Sequence, residues 1–474
     1  MQQPLISIVN GIARHPDFRL AHPVQFSLHA GEHTVVYGPN GGGKTLFAAL
    51  MTGAQPALGL GVQYHWPEGS DKRLHERIRS ISFRDVYGGN EPAYYQQRWN
   101  RFDEQEFPTV GEVLARMPYA HAALCRELGM DEHADKCINL LSSGELRRLQ
   151  LVQALGGSPD VLVIDNPYIG LDAAAREMLT SVLETLSHQL TLVVLASRAQ
   201  DIPHFIQSGV WVEDGLVGPR LSTQELTQHE RTVSAVSADL PEAAVEVDPE
   251  QPACDELVGF DHITIRYGQR TILDNLSWQV NRGEHWALTG ENGAGKSTLL
   301  SLVCADNPQA YACNITLFGH RRGRGESIWD IKRHIGYVSP EMFSTYRKSL
   351  PAIDIVASGL HDTIGLYRRI SDEERAACAE WMRAFGASHL AGRNYLQLSS
   401  GEQRLILLVR AFVKHPALLI LDEPFHGLDA RSRERARQLI DAYMALPGKT
   451  LVMVTHYPEE LPHCIDHHLH LTKH

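Results

Sequence analysis

The sequence predicts an α/β fold in which one domain occurs twice in tandem, because three segments return in the same order. The paired occurrences are GEHTVVYGPNGGGKTLFAAL at Gly31 and GEHWALTGENGAGKSTLLSL at Gly283, LSSGELRRLQLVQAL at Leu141 and LSSGEQRLILLVRAF at Leu398, and VLVIDNPYIGLD at Val161 and LLILDEPFHGLD at Leu418. In the third segment a continuous apolar run ends on an acidic residue, which is typical of a buried parallel strand. The repeat therefore indicates two domains of roughly 220 residues each.

Length and composition agree with two globular domains. A chain of 474 residues is too long for one ordinary core, and 43% hydrophobic with 21% charged residues is typical of globular proteins. We assign residues 1–228 and 258–474 to the two domains. The linker between them, 229–257, is predicted to be flexible and solvated, since Thr232 to Glu256 carries seven acidic residues and no Lys or Arg.

The same numbers bear on the compartment and on the partners of the protein. No apolar run approaches the roughly 18 residues of a membrane helix, and the first residues do not have the pattern of a secretory signal. Seven cysteines without paired spacing predict a reducing cytosol. A net charge of −12 argues against broad electrostatic binding to nucleic acid.

Each copy has a glycine-rich loop between a short apolar strand and an apolar helix, the setting in which such a loop binds phosphate. Glycines let backbone N–H groups point at phosphate oxygens, and the helix N-terminus adds partial positive charge. We predict that Lys44 and Lys296 bind the β- and γ-phosphates and that the hydroxyls of Thr45 and Ser297 ligate Mg²⁺. The predicted nucleotide-binding residues are Gly38, Asn40, Gly41, Gly43, Lys44 and Thr45 in the first loop and Gly290, Asn292, Gly293, Gly295, Lys296, Ser297 and Thr298 in the second.

The copies differ where the apolar strand ends. Asp165 and Asp422 occupy the same position, and each can hold Mg²⁺ through its water shell. Asp422 is followed by Glu423, which can take a proton from an attacking water, whereas Asp165 is followed by Asn166, which cannot. Because a general base contributes about 10²–10⁴-fold to a rate, we expect hydrolysis in the second copy and, at best, poor hydrolysis in the first.

Two further residues are candidates for the second site. His456 follows the next apolar strand, where it is placed to contact a γ-phosphate and the attacking water; the first copy has Ser197 there. Tyr267, sixteen residues before Gly283, is placed to stack on an adenine ring. The alternative is a strand aromatic packed in the core. The equally spaced residue of the first copy is His15.

The remaining segments have less specific patterns. In each copy a Ser and a Gly at a predicted helix N-terminus expose amides suited to a γ-phosphate presented by another domain, namely Ser142, Gly144, Ser399 and Gly401. The aromatic stretch between residues 91 and 107 is expected to belong to an inserted subdomain, with base stacking as the alternative. TVGEVLARM after it is predicted to be helical. The basic stretch from His320 to Glu326 is predicted to be a solvated surface turn.

With these motifs in order, each half resembles the ATPase domain of the ATP-binding cassette (ABC) family over nearly the whole chain. The resemblance implies two P-loop NTPase domains, each with a mainly parallel core sheet, an antiparallel β element and a helical subdomain. It also implies that the domains pair head to tail, so that ATP lies between the phosphate loop of one and the signature segment of the other. One site would combine Lys44, Thr45, Asp165 and Asn166 with Ser399 and Gly401, and the other Lys296, Ser297, Asp422, Glu423 and His456 with Ser142 and Gly144.

The chain departs from the family at one motif. The family has a glutamine that helps to sense Mg²⁺ and to couple the site to a partner, and this residue is missing near Arg84 and near Pro340. The resemblance therefore does not say which residue acts in its place.

At a finer level the second half resembles ATP-binding proteins linked to bacterial molybdenum transport, through NLSWQVNRGEHW, GAGKSTLLSLV and ITLFGHRRGRGESIWDIKRHIGYVS. This implies an ATPase that energises or regulates molybdate import with a separate membrane permease, in the cytoplasm or on the inner face of the plasma membrane. The alternative is an ABC ATPase acting in translation, repair or regulation. Tandem translation factors of the family have a long basic linker, whereas this linker is short and acidic, which argues against ribosome or nucleic acid as a partner.

Overall fold

The chain folds into two compact units, Met1–Ala235 and Val236–His474, and each is described by itself. The computed structural model describes residues 3–66, 72–83, 108–117, 122–138, 141, 143–169, 171, 173–233, 238–241, 252, 254–268, 270–291 and 293–473. The aromatic stretch at residues 91–107 lies outside the described residues. Among the described ones, none of the helices combines the length and the apolar content needed to cross a membrane.

The first unit alternates strands and helices. Its strands are β1 Ile6–Gly11, β2 Val24–Leu28, β3 Thr34–Tyr37, β4 Val62–Tyr64, β5 Ile78–Ser82, β6 Val161–Asp165, β7 Thr191–Ala196, β8 Ser208–Glu213 and β9 Leu216–Ser222. Its helices are α1 Lys44–Met51, α2 Leu74–Arg77, α3 Val110–Ala115, α4 Ala122–Glu127, α5 Ser143–Leu155, α6 Ala173–Ser187 and α7 Thr223–Val233. The predicted helix in TVGEVLARM is α3, and Thr109 caps it by accepting a hydrogen bond from the N–H of Glu112.

The second unit repeats this order. Its strands are β10 Glu256–Tyr267, β11 Arg270–Asn281, β12 His285–Gly290, β13 Ile315–Leu317, β14 His320–Arg321, β15 Ile335–Val338, β16 Leu418–Asp422, β17 Thr450–Val454 and β18 His467–Leu471. Its helices are α8 Lys296–Val303, α9 Ile328–Lys332, α10 Pro340–Thr345, α11 Ala352–Ala357, α12 Asp372–Ala384, α13 Ser400–Phe412 and α14 Ala430–Met444. Helix α7 and strand β10 extend slightly into the stretch that we assign to the linker.

The sheets have the predicted character in both units. The larger sheets have the orders β5-β6-β7-β3-β8-β9 and β15-β16-β17-β12-β18, and every pair in them is parallel except β8 with β9. The smaller sheets, β2-β1-β4 and β11-β10-β13-β14, are antiparallel. The predicted fold class, a mainly parallel core sheet with an antiparallel β element and a helical subdomain, is confirmed.

The strand that carries the predicted acidic residues is buried on both faces, which is why its sequence is a continuous apolar run. Leu418 and Ile420 of β16 pack with the antiparallel sheet and α8. Leu419 and Leu421 pack on the other face with helices α11 to α14. Strand β6 of the first unit is covered in the same way, by one core around α1 and another around α3 to α6. The strand ends are therefore fixed from both sides.

Glycine is required where each phosphate loop leaves its strand. A methyl group on Gly38 would lie 2.1 Å from the carbonyl oxygen of Val212, and one on Gly290 would lie 2.3 Å from that of Leu471. Both glycines also have a positive φ, 154° and 145°, that side chains rarely adopt. The close approach of the next strand therefore fixes the start of each loop.

Substitution of Gly290 tests this packing. We expect Gly290→Ala to lower the free energy of unfolding by about 2–4 kcal/mol, because a backbone clash adds to the strain of a positive φ. Gly283→Ala is the matched control, since Gly283 also has a positive φ of 82° but open space around it, and should cost about 1–2 kcal/mol. Urea denaturation of the ligand-free proteins measures both values. Equal losses would contradict the proposed clash.

Candidate functional site

The two phosphate loops have the same internal geometry. Gly43 and Gly295 stand at the N-caps of α1 and α8 with φ values of 107° and 97°. Each lysine is buried, and its ammonium donates to two carbonyl oxygens of its own loop at 2.6–3.0 Å: Lys44 to Gly38 and Pro39, and Lys296 to Gly290 and Glu291. The loops are thus closed around an ammonium group, and in each the helix N-terminus that follows is suited to an anion.

The residues after the strand-end aspartates have the same backbone conformation in both units. Asn166 and Glu423 both adopt a positive φ, 48° and 50°. The N–H of Asn166 donates to the carbonyl oxygen of Leu195 at 3.0 Å, and the N–H of Glu423 donates to that of Val454 at 2.9 Å. The two side chains therefore start from equivalent places, and the units differ there in side-chain chemistry.

In the first unit the polar groups of the site bond to one another. The amide Nδ2 of Asn166 donates to Oδ1 of Asp165 at 2.8 Å, and the Thr45 hydroxyl lies 3.5 Å from Oδ2 of the same carboxylate. Ser197 donates to the side-chain oxygen of Asn40 at 3.1 Å. The structure thus joins three of these predicted residues around Asp165 and the other two as the pair Ser197 and Asn40, with an amide where the second unit has an acid.

In the second unit an acidic side chain takes the place of this amide. Oε1 of Glu423 is buried and accepts no hydrogen bond from the described residues, while Nε2 of His456 lies 3.7 Å from it. Burial raises the pKa of Glu423 to about 8, and the neighbouring Asp422 and Glu460 carboxylates add to this rise. A carboxyl group with a pKa near neutrality is a stronger proton acceptor than an ordinary glutamate.

Sequence reasoning missed Glu341. Strand β15 pairs in parallel with β16, placing Val338 beside Leu421, and α10 follows with Glu341 in its first turn. Burial raises the pKa of Asp422, and the negative charge of Glu341 raises it further. A carboxylate thus acts on the site near the point where the glutamine is missing. The acid directly after Pro340 was the signal that could have indicated it.

The signature segments begin helices as predicted where they are described. Ser399 is the N-cap of α13: its hydroxyl accepts from the N–H of Glu402 at 3.3 Å, and Glu402 accepts from the N–H of Ser399 at 2.7 Å. Gly401 is buried in the first turn. In the first unit Gly144 lies in the first turn of α5, whereas Ser142 lies outside the described residues.

The other predicted contact residues have less distinctive surroundings. Tyr267 is half-buried, and its hydroxyl accepts a hydrogen bond from Nδ2 of Asn307 at 3.0 Å. His15 is exposed and contacts Phe18 edge-on. Ser297 is exposed and Thr298 partly buried at the start of α8, while Gly41 and Gly293 turn their loops with positive φ values. Asn292 lies outside the described residues.

The oxygen atoms at both strand ends fit the predicted Mg²⁺. Thr45 and Asp165 place a hydroxyl beside a carboxylate, which is a usual ligand type for this ion. In the second unit Asp422 and Glu423 have raised pKa values because acidic groups are buried together. The unpartnered Oε1 of Glu423 belongs to the same cluster. Both sites therefore supply the oxygen chemistry that a hard cation requires.

The chain is similar in sequence to known proteins of one family. The family model described as ABC transporter matches residues 21–169 and 273–426. ABC transporter ATP-binding protein ModF of Escherichia coli strain K12 is 36% identical over 98% of this chain and 96% of its own length. An uncharacterized ABC transporter ATP-binding protein of Schizosaccharomyces pombe is 29% identical over 97% of this chain and 95% of its own.

Two solved structures share the fold. An archaeal ribosome recycling factor, crystallised with a ribosomal stalk protein, matches with a TM-score of 0.56 and 17% identity, covering 97% of this chain and 87% of that chain. An RNase-L inhibitor matches with a TM-score of 0.54 and 18% identity, covering 93% and 83%. At these identities the likeness concerns the fold alone. The profile match and the full-length relatives decide the assignment: the chain belongs to the ABC transporter family, as a tandem ATP-binding protein with two ABC ATPase domains.

Proposed function

We propose that this protein hydrolyses ATP at the phosphate loop of the second unit and holds ATP at that of the first. The observation that carries the proposal is the matched pair Asn166 and Glu423. Both follow an aspartate at a buried strand end with the same backbone hydrogen bond, yet only Glu423 can accept a proton. A partly buried amide bonded to Asp165 supports binding, and a carboxylate whose buried Oε1 accepts no hydrogen bond from the described residues supports turnover.

The proposed reaction is attack of water on the γ-phosphate of ATP. Glu423 takes the proton of the water, the bond from the γ-phosphorus to the bridging oxygen breaks, and ADP and phosphate leave. His456 is near enough to Glu423 to orient the same water and the γ-phosphate. Lys296 stabilises the negative charge on the phosphates. Mg²⁺, held by Ser297 and Asp422 in this proposal, would neutralise phosphate charge and align the oxygens.

The proposal includes head-to-tail pairing of the two units. Each ATP would then also contact the signature helix of the other unit, Ser399 and Gly401 in the first site and Ser142 and Gly144 in the second. The start of α13 at Ser399 supports this, because the N-terminus of a helix carries partial positive charge that favours an anion.

Removal of the carboxylate charge tests the catalytic assignment. We expect Glu423→Gln to lower the steady-state ATPase rate by about 10²–10⁴-fold, because the amide cannot take the proton. ATP affinity should stay within about 2-fold, since the change spares the phosphate loop. Asn166→Ala is the matched control at the equivalent position and should keep nearly the full rate. Full turnover in Glu423→Gln, or its loss in Asn166→Ala only, would reject the assignment.

The nucleotide retained by each unit gives a second test. After incubation with ATP and rapid gel filtration, Lys296→Ala should retain unhydrolysed ATP in the first unit, whereas Lys44→Ala should retain ADP in the second. The reason is that each substitution removes the ammonium of one loop and leaves the other intact. Chromatography of the released nucleotide measures the result. ADP bound to Lys296→Ala would contradict a first site that only holds ATP.

We further propose that ATP turnover energises or regulates molybdate import through a separate membrane permease. The support is the similarity to ModF over nearly the full length of both chains, together with the motifs of the second half. A second candidate is action in translation, since two structures of the same fold include an archaeal ribosome recycling factor. The acidic linker supports the transport reading over this one, because ribosome binding by tandem cassettes is expected to use basic surfaces.

The two roles predict different partners. The Glu423→Gln protein with ATP should be captured with membrane fractions of its native host together with one permease, because a non-hydrolysing ATPase accumulates in the nucleotide-bound state. Wild-type protein with ADP is the control and should release the partner. Mass spectrometry of the captured proteins and sucrose-gradient profiles measure the outcome. Salt-sensitive co-sedimentation with ribosomes would replace the transport role with the translational one.

A further inference from the structure

An arginine outside the predicted motifs lies against the second phosphate loop. Arg270 is the first residue of β11, directly after the turn that leaves β10 at Tyr267. A methyl group on Gly293 of the loop would meet Nη2 of Arg270 at 3.5 Å. The guanidinium group therefore lies next to Gly293, in the loop that is predicted to face the phosphates.

The position of this arginine is fixed by packing on both sides of the turn. A methyl group on Gly295 would come within 2.9 Å of Leu273 and 3.1 Å of Ile272, so the start of β11 is packed against the loop. On the β10 side, Asn307 donates to the hydroxyl of Tyr267 and to Oγ of Ser301 in α8. The turn is thus attached to the helix that follows the phosphate loop.

The guanidinium group is available for a ligand. Arg270 is exposed, and its side chain has no hydrogen bond or ion pair with the residues that the structure describes. The ammonium of Lys296, by contrast, is already bound to the carbonyl oxygens of Gly290 and Glu291. An exposed fork of N–H donors beside a phosphate-binding loop is the arrangement in which arginine pairs with phosphate oxygens.

The first unit lacks this group, although its loop is also closely packed: a methyl group on Gly43 would lie 2.7 Å from Cδ2 of Leu20. Three residues after His15, where Arg270 stands three after Tyr267, the first unit has Phe18, whose ring contacts His15. The adjacent Arg19 donates to the carbonyl oxygens of Ala13 and Arg14 and is therefore occupied. The exposed arginine beside the phosphate loop, Arg270, therefore lies in the same unit as Glu423.

We propose that Arg270 is a nucleotide-binding residue of the second unit, where its guanidinium pairs with the phosphate chain of ATP. This inference rests on the proposed function, since it assumes that ATP binds to the loop closed by Lys296. It assigns the residue to the phosphates and not to the base, because the guanidinium lies at the loop and not against the ring of Tyr267. The triphosphate would then contact two cationic side chains, Lys296 of the phosphate loop and Arg270 of the antiparallel sheet.

Equilibrium titration of the full chain in the Glu423→Gln background tests this assignment without turnover. We expect Arg270→Ala to raise the Kd for ATP in the second unit about 10-fold, as loss of a charge-assisted hydrogen bond does. Arg270→Lys should recover part of the loss, GTP should be affected as much as ATP, and the effect should shrink at high salt. To isolate the second unit, all proteins also carry Lys44→Ala.

Arg266→Ala is the matched control, an exposed arginine of the same hairpin for which the structure shows no contact with the loop, and it should leave the Kd unchanged. An unchanged Kd in Arg270→Ala would overturn the proposal, as would a loss for ATP without one for GTP. A lower unfolding midpoint of ligand-free Arg270→Ala would assign the residue a structural role instead. If the protein with Glu423→Gln and Lys44→Ala binds no ATP, the proposed function itself fails. If Lys296→Ala abolishes ATP binding in that background and Arg270→Ala does not change it, the ATPase proposal stands and the role of Arg270 is rejected.

Discussion

The parallel pairing of β16 with β17 is the constraint on which the second site depends. It sets Asp422 beside Val454, and the N–H of Glu423 extends the ladder by donating to the carbonyl oxygen of Val454. The positive φ of Glu423 ends the strand at that point. His456, two residues beyond Val454, lies 3.7 Å from the carboxylate of Glu423. Since β16 is covered on both faces by apolar cores, its packing holds this geometry in place. The same ladder places Asn166 in the first unit, so the difference in chemistry between the units needs no difference in fold.

This arrangement concentrates negative charge where water is excluded. Asp422, Glu423, Glu341 and Glu460 interact closely enough for neighbouring charges to raise the pKa values of the first two. Burial of like charges opposes folding, because the ionised forms lose the stabilising effect of solvent. Lys296 is the cation that lowers both pKa values, and its ammonium is already shared with two loop carbonyls. A site of this kind is arranged for cationic and phosphate ligands and contributes little to the stability of the unit.

Much of the fold could be predicted from the sequence, because the repeated motifs carry local physical signals. The apolar run of β16, the glycines of the loops and the serine cap of α13 each specify structure within a few residues. What could not be predicted depends on contacts between distant segments. Arg270 lies at the loop only because the hairpin packs on Gly295, and Asn166 bonds Asp165 through a side-chain geometry that no pattern encodes. The basic stretch from His320 to Glu326 shows the same limit. Arg321 is exposed as predicted, but the Arg322 side chain is buried and paired with Glu326, contrary to the predicted solvated turn.

Both units have a contact between the edge of the parallel sheet and the signature helix, although the family's glutamine is missing. In the second unit, Arg404 of the signature helix α13 stacks on Phe343 of α10 at 4.2 Å, and Arg147 of α5 stacks on Phe83, just after β5, at 5.3 Å in the first. These cation–π contacts join the edge of the parallel sheet to the signature helix in both units. The edge of the sheet and the signature helix are therefore in contact without the glutamine. Near the point where the glutamine is missing, the second unit has Glu341, whose negative charge raises the pKa of Asp422. This interaction depends much more strongly on nearby cations than that of a neutral amide would.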